Sequence, residues 1–258
     1  METLVLQKED HLGWIRFNRP EAMNALNTQM AKDLIGAVQE LALDGSIWVV
    51  GFTSTSDKCF GVGADLKERK DMTGEQIGRQ RVLFTRAMAA LKDLPQPLLA
   101  GVKGFALGGG FEFALLADMI IAGDNAQFGL PEVRVGLIPG NGGTQNLPRL
   151  IGKNRAKEMI FTGRRITARE ALAMGIVTKV VPVEQVEEAL RNLAGEICAN
   201  APIAVRQAKK AIDLGMNVDL DTGIEIEMQA YNVNLPTEDR QEGIRAFNEK
   251  RPPRWQGR

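Results

Sequence analysis

Apolar and polar positions alternate along "TLVLQKEDHLGWIRFN", residues 3 to 18, and the alternation breaks between Asp10 and Gly13. Period two on either side of that break predicts two short strands joined by a turn. "RPEAMNAL" then opens a helix expected to run to about Leu43. "SIWVVGFTST" is β-branched and aromatic, ends in turn residues, and reads as a buried strand. A glycine-containing turn leads into a helix at "GADLKERK", and residues 75 to 93 form a second helix with a mixed charged face, stopped by "DLPQP".

The same sequence of elements then recurs. "PLLAGVKG" reads as a strand, "FALGGG" as a turn and "GFEFALLAD" as a helix; "MIIAGD" and "AQFGLPE" follow as short strands. The glycine-rich turn "LIPGNGGTQNLPRLIG" leads into more helix. Units of strand, strand and helix with glycine at each crossover predict a layered α/β core. From about Ala201 the pattern is helical alone, so residues 1–200 are expected to form the core and 201–258 a helical region that packs on it or on a neighbouring subunit.

With 258 residues the chain can bury one large core, and it needs no second independent domain. The formal net charge of zero gives no electrostatic reason to expect nucleic acid or an anionic membrane as the main partner. Cys59 and Cys198 stand far apart, without metal-ligand spacing, as in reduced compartments, and the N-terminus shows no signal-like apolar segment. A cytoplasmic protein is expected. The single histidine, His11, has no cluster around it and reads as a turn residue, so acid or base chemistry falls to other side chains.

Two glycine-rich turns precede helices, "GVGADLKE" and "LGGGFE". The first amides of a helix lack intrahelical acceptors, so two such helix starts could converge on one developing oxyanion. Each such donor can contribute roughly 3–4 kcal/mol to a transition state; the plainer alternative is an ordinary strand-to-helix connection. Neither turn has the spacing of a dinucleotide or phosphate loop. Glu112 follows Gly109 by about one helical turn and lies between phenylalanines, while Glu132 in "FGLPEVRVG" has apolar neighbours of its own. Two carboxylates in apolar settings suit paired acid and base work, because desolvation and mutual repulsion raise at least one pKa. The plainer alternative is an arginine partner, with Arg134 or Arg149 as candidates for Glu132.

"FGVGADLKE", the run from Gly104 to Gly152, and "AREALAMGIVTKVVP" together resemble the crotonase, or enoyl-CoA hydratase/isomerase, superfamily, and the resemblance extends from "RPEAMNAL" to "EDRQEGIRAFNEKRPP". It implies a spiral of repeated ββα units with a C-terminal helical trimerisation region. It further implies that the N–H groups of Ala64 and Gly109 form an oxyanion hole for a coenzyme A thioester, with the backbone from Ala64 through Asp65, Leu66 and Lys67 along the CoA. Glu112 and Glu132 take the places of the two catalytic glutamates. The implied reaction is reversible syn hydration of a trans-2-enoyl-CoA, with no cofactor, coenzyme A being part of the substrate. A homotrimer or a hexamer built as a dimer of trimers is implied as well.

Asn141 and Asn146 depart from the commoner pattern of a small residue and an arginine, which bears on acyl preference. The C-terminal region looks especially like the branch that includes 3-methylglutaconyl-CoA hydratases, one member of which also binds AU-rich RNA. A methylglutaconyl substrate would need a cation near the acyl pocket, for which Arg81, Arg86 and Arg134 are candidates. An RNA role would fall to the basic helix "RQAKKAI", which reads more simply as a solvated face over an apolar stripe of Ile203, Val205, Ala208 and Ile212.

Overall fold

A computed structural model describes residues 1–258. Strands β1 (Leu4–Glu9) and β2 (Leu12–Phe17) pair antiparallel across the expected turn. His11 in that turn stacks on Trp48 with ring centroids 3.7 Å apart, and its Nδ1 lies 2.8 Å from the Ser46 carbonyl. The helix expected from "RPEAMNAL" is divided. Pro20–Ala22 make one 3-10 turn, Met23 and Asn24 take positive φ near 51°, and α1 (Thr28–Leu43) begins only where Asn27 caps it by accepting from the Met30 amide.

The next strands alternate between two sheets. β3 (Val49–Ser54), β5 (Leu98–Val102), β7 (Met119–Gly123) and β10 (Lys179–Val181) join β1 and β2 in a six-stranded sheet of order β1-β2-β3-β5-β7-β10. β4 (Cys59–Gly61), β6 (Phe105–Leu107), β8 (Gln127–Gly129) and β9 (Ile166–Thr167) form a second sheet in that order. Successive strand pairs each place one strand in either sheet, and parallel pairing to the previous unit generates a spiral of ββα turns. "FAL" before the glycines is therefore β6, not part of a turn. Three residues were too few to show a period, and their pairing partners lie 22 residues away or further in sequence, as Phe105 pairs with Gln127 and with Cys59.

Period two decides what each strand buries. Ile15, Val50, Phe52, Leu98 and Ala100 enter the main core, while Trp14, Val49 and Leu99 on the opposite face pack beneath α8 (Val186–Cys198) with Leu190. The crossovers after β4 are α2 (Leu66–Arg69), a single turn where a longer helix was expected, and α3 (Gly74–Lys92). After β6 comes α4 (Gly109–Ala114), and after β8 a 3-10 turn over Glu132–Val135, then α5 (Gly143–Ile151), α6 (Lys153–Thr162) and α7 (Ala168–Ala173).

The C-terminal region is helical as expected: α9 (Pro202–Gly215), α10 (Leu220–Asn234) and α11 (Glu238–Glu249). The expected orientation of α9 holds only in part: Ile203 and Val205 are half-buried and Lys210 is exposed, but two of the cations dock as well. Arg206 donates to the Ile47 carbonyl at 2.8 Å, and Lys209 reaches the Gln96 carbonyl at 3.0 Å and the Asp118 carboxylate at 2.8 Å. These cations satisfy backbone carbonyls at the edge of the core, while Ile212, at the end of the supposed buried stripe, is exposed. No helix is long and apolar enough to cross a membrane.

Candidate active site

The two glycine turns touch. At Gly110 a Cβ would lie 2.0 Å from the Gly61 carbonyl oxygen, so only glycine allows α4 to cross the end of β4 this closely. Gly63 and Gly109 are neighbours by the same crossing, with Gly63 Cα 3.5 Å from a Cβ built on Gly109. Leu26 holds the first turn from the other side: its N–H donates to the Gly63 carbonyl at 3.1 Å and its carbonyl accepts from Asp65 at 2.9 Å. Between these bonds the Ala64 N–H has no acceptor, and neither has the Gly109 N–H at the first position of α4. Two acceptor-free amides thus come from two adjoining turns.

Asp65 is spent on structure. Its Oδ1 accepts from the amides of Lys67 and Glu68 and its Oδ2 pairs with Arg19 at 3.0 Å. Burial disfavours its charge, but the Arg19 and amide bonds outweigh that and hold its pKa below the usual carboxylate value. The side chains of Leu66 and Lys67 are exposed, and the Lys67 amide is already committed to Asp65.

Glu112 is buried, and the loop that fixes it comes from elsewhere in the chain. Its Oε1 accepts from the Asn141 amide at 2.7 Å and the Gly143 amide at 2.8 Å. That leaves Oε2 on the side of Gly109, 4.0 Å from a Cβ built there. The Asn141 and Gly143 amides are functional groups that the sequence reading missed; the glycine-rich "PGNGG" was visible as a turn, but backbone donors carry no side-chain signature.

Glu132 faces the same glycines without such support. Its Oε1 lies 3.2 Å from a Cβ built on Gly108, and its buried Oε2 has no hydrogen-bond partner. Burial, opposed by one backbone hydrogen bond and reinforced by the nearby Glu112, pushes its pKa up to about 7. The arginine partner considered for it is absent: Arg134 turns to the Thr162 carbonyl and Arg149 to the Gln145 carbonyl. Gly108 itself sits at φ +53° and ψ −128°, which an L side chain rarely adopts, and places the carboxylates astride one glycine pair.

A spiral of ββα units that brings together two unspent amides and two carboxylates from three successive crossovers defines an enoyl-CoA hydratase/isomerase class of protein, and the matching family model, described as enoyl-CoA hydratase/isomerase, covers residues 7–258. The chain belongs to that family. It is 40% identical over 251 residues, 97% of its length and 96% of the relative's, to the short-chain-enoyl-CoA hydratase of Clostridium acetobutylicum. It is 38% identical to the crotonyl-CoA hydratase of Syntrophomonas wolfei over 97% of this chain and 96% of that one. The crystal structure of an enoyl-CoA hydratase from Bacillus anthracis superposes with a TM-score of 0.97 at 43% identity, covering 99% of this chain and 100% of that chain.

Proposed function

We propose that the protein is an enoyl-CoA hydratase, adding water syn across a trans-2-enoyl-CoA to give a 3-hydroxyacyl-CoA. The observation that carries the reading is the pair of carboxylates, one braced and one unpartnered, beside two acceptor-free amides. With the thioester oxygen on the Ala64 and Gly109 N–H groups, a water held between the glutamates attacks Cβ and loses its proton to Glu112. The π electrons move toward the thioester oxygen, where the amides stabilise the enolate-like charge. Glu132, protonated below a pKa of about 7, delivers a proton to Cα as the carbonyl re-forms. Proton exchange between the carboxyls and solvent restores the starting state. A double-bond isomerase needs only one carboxylate for proton transfer, so the second favours hydration.

Crotonyl-CoA in D2O tests this. Formation of 3-hydroxybutyryl-CoA with deuterium at Cα and the hydroxyl on the same face supports the reading; double-bond migration without hydration would sink it. The C-terminal helices are proposed to assemble the trimer, and from it a hexamer. Supporting this, Met216, Leu220, Met228, Tyr231 and Phe247 are exposed, and α10 buries only Ala230. Light scattering that returned a monomer would overturn it.

A further inference from the structure

The two asparagines that depart from the commoner loop pattern are placed differently. Asn146 lies against Gly142, where a built Cβ would stand 3.1 Å from its Nδ2. Asn141 faces the glycine pair. Its Nδ2 is 4.0 Å from a Cβ built on Gly109, and Glu112 Oε2 is 4.0 Å from the same point. The side-chain amide and the free oxygen of Glu112 therefore border one space over the first residue of α4. Gly140, the residue before, meets Arg81 on α3 instead, with a built Cβ 3.2 Å from its Nη1.

The Asn141 carboxamide serves no bond within the protein. Only the backbone N–H of Asn141 is engaged, to Glu112 Oε1 at 2.7 Å; neither end of the side chain has a partner, although the residue is half-buried. Nor is the group sealed as Glu132 Oε2 is: Asn141 Nδ2 and Glu112 Oε2 both keep accessible surface. An unpartnered donor and an unpartnered acceptor beside one opening suit a single oxygen that accepts from the first and donates to the second.

Resting on the hydratase reading, we propose that the Asn141 carboxamide is a third polar group of the reaction: its Nδ2 donates to the oxygen at C3 of the acyl chain. That oxygen is the attacking water in one direction and the product hydroxyl in the other. During hydration one lone pair of the water forms the bond to C3 while the other accepts from Asn141. One proton passes to Glu112 Oε2, the second stays in the new hydroxyl, and the π electrons move to the thioester as described above. During dehydration the same N–H steadies the departing oxygen while Glu112 returns its proton. The nucleophile is then aimed by the same loop whose backbone amides aim the base.

Asn141→Leu keeps the shape of the side chain and the backbone brace on Glu112 but removes the donor. It is expected to lower kcat/KM for crotonyl-CoA hydration about tenfold, and Asn141→Ser, which keeps a short donor, to lose less than Asn141→Ala. Ligand binding gives a readout that a displaced loop would not move selectively. In a Glu132→Gln background, which slows elimination of the hydroxyl, Asn141→Leu should weaken 3-hydroxybutyryl-CoA about tenfold by calorimetry and leave butyryl-CoA, which has no oxygen at C3, within about twofold. Hydration within about twofold of the unmodified protein in Asn141→Leu overturns the proposal, leaving the carboxamide merely solvated. Equal weakening of both ligands also overturns it, making Asn141 a packing residue, as do equal losses in the serine and alanine variants. Failure of the unmodified protein to hydrate crotonyl-CoA, by contrast, strikes at the hydratase reading.

Discussion

The start of α4 and the turn over Glu132–Val135 present the same functional group to the same pair of glycines, yet they treat it in opposite ways. Around Glu112 the chain supplies two backbone donors to one oxygen, fixing its direction. Around Glu132 it supplies burial without a side-chain partner, which leaves an oxygen unsatisfied and pushes the pKa to about 7. An unsatisfied buried carboxyl oxygen is costly for stability and useful for a group that must gain and lose a proton near neutrality. The difference teaches that two glutamates in a site need not share a role: the braced one suits a base that keeps its aim, and the unbraced one suits a proton carrier.

The largest effect expected from breaking this arrangement is in turnover. Glu112→Gln and Glu132→Gln, made separately, are each predicted to lower crotonyl-CoA hydration by ~10²–10⁴. Both staying within about tenfold of the unmodified protein in a steady-state assay would overturn the pairing. Next comes Gly108→Ala. The new Cβ would be strained at φ +53° and press on Glu132 Oε1 at 3.2 Å, so a loss of roughly tenfold to a hundredfold in kcat is expected, with a smaller change in KM. Wild-type kcat would show that the position of Glu132 does not matter.

The pH profile sharpens the comparison further. If Glu132 must be protonated to serve Cα, kcat/KM falls about tenfold per pH unit above a pKa near 7. The residual activity of Glu132→Gln should lack that limb. A limb that persists unchanged in the variant would assign it to another group.

How much of this was legible before any fold was known depended on whether the signal was a side chain or a backbone contact. Glu112 stood out because a carboxylate between two phenylalanines is anomalous in itself, and, although the short strands β4 and β6 went unread, the alternation of strand and helix was visible because their periods differ. The amides of Asn141 and Gly143 were not, because they reach Glu112 from 29 and 31 residues away and have no residue-type signature. The α9 reading held only in part for a related reason. Its period correctly gave a two-faced helix with Ile203 and Val205 half-buried, but long Arg206 and Lys209 side chains bury their stems against the core while their charges find carbonyls, so these two cations dock although Lys210 stays exposed. Arg81 could be named but not aimed, since a helix period cannot say which neighbour a residue meets.

The smallest effect is a gain in stability at the expense of function. Glu132 has a folded-state pKa of about 7 against an ordinary 4.5. Below 4.5 the carboxyl is protonated in both folded and unfolded chains and contributes no pH dependence. Between the two values the unfolded chain releases its proton while the folded chain keeps it, so stability falls as pH rises; above about 7 the penalty is complete. Converting the difference at face value gives about 3 kcal/mol, and solvent screening at this partly exposed site reduces the figure to roughly 1–2 kcal/mol. Glu132→Gln should therefore unfold at higher denaturant concentration than the unmodified protein at pH 8, with the gap closing at pH 4.5. Glu112→Gln serves as the contrast, because glutamine retains an oxygen for the Asn141 and Gly143 amides but relieves no unpartnered one. Denaturation curves in which Glu132→Gln gives no gain at pH 8, or the same gain at both pH values, would remove burial as the source of its raised pKa and with it the physical distinction between the two carboxylates.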